Sequence, residues 1–362
     1  MKKSKLMAFM LALVLILSAC AGGNSNTKGT DGKEKAVDKK EEVTTKKDSG
    51  EKIKVVASFY PVADLFKKVG GDKVEVINLT QTGSAHGYEP TVDDMKKIID
   101  SDLLAINGAG FESWVEKVTS ANPDLKVVDL SAGVELIEGG GHDHDHDHEA
   151  EEAHDHEAEE DHDHEAEEAH DHDHEEGHDE HAGHNHGKYD PHIWLSFKNA
   201  KVMLENAYNK LVEVDPANKD YYKANFDENS KKLVELDEKY GKIFEQYKGK
   251  KFVVPHEAFG YLCKEYGVEQ VGIDGINSDT EPNLTKMAEI IDAMKTNDVN
   301  TVFYEYGKSD KVAQAIASEI NGKVKPISTI EVITDEDVAK GNDYFSLMEM
   351  NLNNIIDSFE EK

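Results

Sequence analysis

From residue 53 onward, short apolar runs alternate with longer segments whose apolar residues recur every three or four positions. The runs at 53–58, 74–79, 103–107 and 126–130 are rich in Val, Ile and Leu and predict four strands. The segments 61–69, 91–100 and 112–119 between them predict helices; Gly70-Gly71 stops the first and Thr91 is placed to cap the second. The same rhythm restarts at 251, with strands at 251–255, 268–273, 300–305 and 324–327. Helices are predicted at 257–266, from Asp279-Thr280-Glu281-Pro282 to 295, at 310–320, and at 343–359 to close the chain. Strands alternating with helices over short loops specify parallel sheets. Between the halves, 197–214 reads as a helix, and Asp215-Pro216 supplies an N-cap and a first-turn proline for the next one. Tyr222, Phe226, Leu233, Leu236, Tyr240, Phe244 and Tyr247 keep one apolar face on that helix. Running to about 247, it would extend roughly 48 Å at about 1.5 Å per residue, the length of a rigid strut. The expected fold is therefore α/β with two lobes, 51–214 and 248–362, each a mostly parallel sheet flanked by helices. One long backbone helix, 215–247, joins them.

The first 50 residues break this pattern. Lys2, Lys3 and Lys5 precede an apolar stretch, 6–17, too short to cross a bilayer as a helix, which reads as a signal peptide. It ends in Leu17-Ser18-Ala19-Cys20, which resembles the lipobox of bacterial lipoproteins; the resemblance implies that Cys20 is lipidated and becomes the first mature residue. Residues 21–50 carry almost nothing apolar and read as a flexible tether. Beyond them the only cysteine is Cys263, so no intrachain disulfide is expected once Cys20 is acylated.

Charge narrows the function. The formal net charge of −33 excludes nucleic acid as a partner, and every one of the 41 basic residues is a lysine, so no site rests on bidentate Arg recognition. Twenty-one of the acids fall in 142–187, which has no lysine and holds 15 of the 18 histidines. There the heptapeptide His-Asp-His-Glu-Ala-Glu-Glu recurs at 146, 154 and 162. Such a tract, within a loop spanning 141–187, offers many weak, exchangeable metal-ligand pairs and no fixed geometry; otherwise it is merely a solvated acidic loop. The three remaining histidines, His86, His192 and His256, each fall at a loop or strand exit. Singly each could be structural. Together they are candidates for one metal ion, and three neutral imidazoles with one carboxylate make a tetrahedral zinc site.

Their contexts are Gly83-Ser-Ala-His86-Gly-Tyr-Glu-Pro-Thr91, Asp190-Pro-His192-Ile-Trp-Leu-Ser196 and Val254-Pro-His256-Glu-Ala-Phe-Gly-Tyr261. In this order, from about residue 53 to the end and with a His-rich insertion before His192, the chain resembles the metal-receptor lipoproteins of bacterial ABC importers. The match is to the class built on a rigid backbone helix, and to its zinc-uptake branch. The resemblance implies metal held between two lobes, a membrane permease as partner, a monomer anchored by lipid on the extracytoplasmic face of the cell membrane, and Zn²⁺ as the transported ligand. It also implies a carboxylate ligand before the last helix, for which Glu331 fits best and Asp335 and Glu305 are alternatives. Manganese-binding relatives place a carboxylate where this chain has His256, which favours zinc. Asp190 and Glu257 are candidates to orient imidazoles. Two other classes stay open: a surface adhesin or metal buffer, and a zinc hydrolase. Against the hydrolase, Gly260 stands where the second His of an HExxH motif would be, and no enzyme activity is expected.

Overall fold

The computed structural model describes residues 51–81, 84–139, 188–274 and 284–360. The signal segment with Cys20, the tether, the His-rich tract and the predicted start of the helix at 279 lie outside the described residues. Among the described residues no helix is long and apolar enough to cross a membrane.

Strands β1 (Ile53–Ala57), β2 (Val74–Asn78), β3 (Leu103–Ile106) and β4 (Val127–Asp129) form one all-parallel sheet in the order β2-β1-β3-β4. Strands β5 (Lys251–His256), β6 (Glu269–Asp274), β7 (Thr301–Glu305) and β8 (Lys323–Ile327) form a second in the equivalent order β6-β5-β7-β8. Both sheets are buried on two faces, which is why their strands read as continuous apolar runs. Val55 and Ala57 of β1 point into a core containing helices α1 (Tyr60–Gly70) and α4 (Phe197–Val214), whereas Val56 between them packs with Ile98 of α2 (Val92–Ile99) and Val118 of α3 (Val115–Ala121). The second sheet divides the same way. Phe252, Val254 and Phe303 join the core of the first lobe, and Val253 and Val302 face α7 (Leu284–Thr296) and α8 (Lys311–Ile320).

The shared core binds the two halves into one body. The predicted linking helix is helical throughout 216–247, but its first and last turns, Pro216–Asn218 and Glu245–Tyr247, are 3-10, and only α5 (Lys219–Phe244) between them is α-helical. Its 26 α-helical residues extend about 39 Å. Asp215 stands at the N-cap, but its side chain accepts no backbone amide there; its carboxylate accepts hydrogen bonds from Asn218 Nδ2 (2.6 Å) and the Tyr222 hydroxyl (2.7 Å). Nor is α5 a free-standing strut. It packs along α4 and α1, then reaches the other lobe, where Asp237 accepts from Tyr266 of α6 (Gly260–Tyr266) and Tyr240 donates to Asn353 of α10 (Tyr344–Glu360). Tyr222, Leu233, Leu236, Tyr240 and Phe244 form its buried stripe. The sequence reading missed α9 (Asp335–Lys340), a two-turn helix held by a Thr334–Asp337 capping box, and set the start of α3 three residues early, since Glu112 turns inward to accept from Asn107 and Gly108 backbone amides.

Candidate metal centre

In a doubly wound sheet, side chains at the carboxyl ends of strands near the point where strand order reverses face a shared crevice. His256 is the last residue of β5, on that reversal in the second sheet. Pro255 before it has no amide hydrogen, and the β5–β6 register skips it before resuming at His256, which pairs with Asp274. His86 sits in the loop after β2. That loop is tied to α2 by Asp94, whose carboxylate accepts from the Tyr88 hydroxyl (2.7 Å) and Thr91 Oγ1 (2.6 Å), while Thr91 accepts the Asp94 amide as a capping box. Gly87 at φ 66° supplies the turn beside it. His192 opens the 3-10 turn Ile193–Leu195 that leads into α4, and is fully buried. Glu331 follows β8 and is also buried.

These four residues converge where the two sheets face each other. A ring nitrogen from each of His86, His192 and His256 lies within 4.8 Å of the others. The Nε2 atoms of His86 and His192 are 3.1 Å apart, and Glu331 Oε1 is 3.3 Å from His86 Nε2. Tetrahedral zinc bonds of about 2.0–2.1 Å place neighbouring ligand atoms roughly 3.3 Å apart, so both separations match one edge of such a shell. The second Glu331 oxygen accepts the Ala85 amide at 3.2 Å, fixing the carboxylate against the His86 loop.

The tautomer of His192 is set by Asp190, whose Oδ1 accepts from its Nδ1 at 2.7 Å and from its backbone N at 2.9 Å. With the proton on Nδ1, Nε2 presents a lone pair to the cluster. Asp190 thus takes the orienting role expected of it. Glu257 does not: its carboxylate accepts the Gly272 amide at 3.1 Å and braces β6. Glu305 accepts from Thr329 N and Oγ1, supporting the segment before Glu331, and Asp335 lies exposed in the first turn of α9. Trp194, which the sequence offered only as part of a motif, ties the site to the second lobe. It is fully buried, 5.2 Å from His192 between ring centroids, and its indole donates to the Thr329 carbonyl at 2.7 Å.

The carboxylates differ in proton affinity. Burial would raise the Glu331 carboxyl, but the hydrogen bond and charge of His86, with the charges of His256 and His192, outweigh it and hold it down at about 2. Burial, then the neighbouring Glu331 charge, push Glu305 up to about 7 despite the Thr329 donors. An acceptor that stays ionised therefore stands beside the imidazoles, while the second carboxyl is predominantly neutral below pH 7. The cluster combines imidazole nitrogen and one carboxylate oxygen without thiolate, the donor set of a borderline-soft divalent ion.

Two parallel α/β lobes, with imidazoles from both and a carboxylate converging on their seam, define a two-lobed binding protein. The family model described as zinc-uptake complex component A, periplasmic, matches residues 55–358, and the chain belongs to that family. It is 33% identical over 350 residues to the high-affinity zinc uptake system protein ZnuA of Bacillus subtilis, covering 96% of this chain and 95% of that protein. The zinc-binding lipoprotein AdcA of Streptococcus pneumoniae is 31% identical across 97% of this chain, which spans 60% of that longer protein. The crystal structure of the Zn(II)-bound ZnuA-like domain of pneumococcal AdcA superposes with a TM-score of 0.68 at 27% identity, covering 86% of this chain and all of that one.

Proposed function

We propose that the chain is an extracytoplasmic zinc receptor that captures Zn²⁺ at the lobe seam and delivers it to the permease of an ABC importer. His86, His192 and His256 would supply three nitrogen ligands and Glu331 the fourth, an oxygen; the observation that carries this reading is their convergence from both lobes, the three imidazoles within 4.8 Å of one another and Glu331 3.3 Å from His86. A fourth protein ligand leaves no open position for an activated water, so the site suits capture rather than hydrolysis. Cys20 would carry the lipid that holds the receptor, as a monomer, at the outer face of the cell membrane, and the His-rich loop would collect zinc loosely beside the cleft. Asp190 would raise the basicity of His192 and fix its direction. Metal analysis of the purified domain from residue 21 tests the reading, with zinc and manganese in competition. One tightly held zinc per chain is expected, and preferential retention of manganese, or no tight metal, would overturn it.

A further inference from the structure

The residue before Glu331 has a backbone that its side chain disfavours. Ile330 has φ 61°, in the left-handed region. Among the described residues the other non-glycine positions there are Ala109, Asp298 and Asn321, so Ile330 alone is β-branched. Its side chain is fully buried in the core shared by the lobes. A β-branched residue in this region is strained, because its Cβ and γ carbons crowd the adjacent peptide, and such positions persist only where the surroundings over-determine them.

Here the surroundings do so on both sides. Ser328 is clamped in both directions by Asn351, its amide donating to Asn351 Oδ1 (2.8 Å) and its carbonyl accepting from Nδ2 (2.7 Å). Thr329 donates its amide to Glu305 (3.2 Å), and its carbonyl accepts the Trp194 indole. The Ile330 amide donates to Ser328 Oγ at 3.0 Å. Beyond it, the Glu331 carboxylate already meets His86 and the Ala85 amide. Between the end of β8 at Ile327 and Glu331 the chain must turn from the core into the metal cluster, and the left-handed residue of that turn is Ile330. Glycine would turn without strain, but it would leave the segment with no side chain to lock it down.

We infer that Ile330 is a positioning residue for metal binding: its buried side chain holds the left-handed turn that aims Glu331 at the imidazoles before the ion arrives. This rests on Glu331 being a ligand, as proposed above. Ile330→Gly would free the turn, so Glu331 would have to be ordered as zinc binds, weakening affinity about tenfold, the low end of the range for residues that orient ligands.

A double-mutant cycle tests this, with zinc affinities from competition against a chromogenic chelator and folding checked by circular dichroism. Ile330→Gly should lose about tenfold, and adding it to Glu331→Ala should cost nothing further. Ile330→Val, which keeps the branched Cβ in place while trimming the core, should melt at a lower temperature yet bind zinc within about twofold of the wild type. Should Ile330→Gly fail to fold, Ile330→Ala takes its place in the cycle with the same expected non-additivity. The inference is overturned if the glycine variant binds like the wild type, if its loss appears in full on top of Glu331→Ala, or if valine loses as much as glycine. Unchanged affinity in Glu331→Ala alone would instead remove the ligand assignment on which it rests.

Discussion

Asp190 touches no metal in the proposed site, yet its removal should be felt there. Its Oδ1 lies 2.7 Å from His192 Nδ1 and 2.9 Å from the His192 amide, and both residues are buried. Asp190→Ala would leave two buried donors without an acceptor, at about 1–3 kcal/mol each, and would confuse binding with folding. Asp190→Asn is the cleaner change. Its amide oxygen can accept both hydrogen bonds, so the metal-free fold should melt within a few degrees of the wild type. What it loses is the negative charge that favours positive charge on the His192 ring when a cation binds. Partners of this kind are worth about 10–100-fold in metal affinity, or about 1.4–2.7 kcal/mol. Chelator competition at pH 7.5, with melting curves recorded in chelator, should show that loss without a matching loss of stability. Gly260→Ala reaches the same bond from the other lobe: a Cβ there would come 2.7 Å from Asp190 Oδ2 and push the carboxylate off line. Zinc affinity within twofold of the wild type in Asp190→Asn would refute the reasoning.

Four further outcomes are expected. His192→Ala or His256→Ala should abolish tight zinc binding while the circular dichroism spectrum stays native, because the cores are built from apolar strands; retained affinity would remove the site. Since protons compete with zinc for the imidazole nitrogens, zinc affinity should fall steeply below about pH 6, and a flat profile from pH 7.5 to 5.5 would argue against three histidine ligands. Deleting 141–187 should remove several weak zinc equivalents from a calorimetric titration and leave one tight site; loss of that site would place the primary ligands in the tract. Burial pushes Glu265 up to about 7 against the Ser196 donor and Lys198, from 4.5 in an open chain. Its ionisation therefore costs the native state progressively more as pH rises from about 4.5 to 7, and fully above that. Glu265→Gln, which keeps an acceptor for Ser196, should raise the melting temperature of the metal-free protein by several degrees at pH 8 and by far less at pH 5; an equal shift at both would show the charge is not the cause.

Much of this protein is written locally. Two rounds of apolar strand and amphipathic helix imply two parallel sheets, because fully buried strands need continuous apolar runs and parallel strands need helical crossovers. Thr91 announced its helix cap, and the scarcity of histidine outside 142–187 singled out His86, His192 and His256. Residue chemistry alone did not separate Glu331 from Glu305 and Asp335, three carboxylates within 31 residues; the family resemblance favoured Glu331, and the structure places it against His86, beyond the turn at Ile330. Nor was the division between Asp190, which orients an imidazole, and Glu257, which braces a strand, although each lies within two residues of a histidine. Sequence by itself determined the elements, the sheet class and the supply of ligands, because those follow from periodicity and composition along the chain. Tertiary structure decided which ligands meet, which carboxylate stays ionised and where the backbone turns against its own preference, because these depend on groups brought together across more than 200 residues.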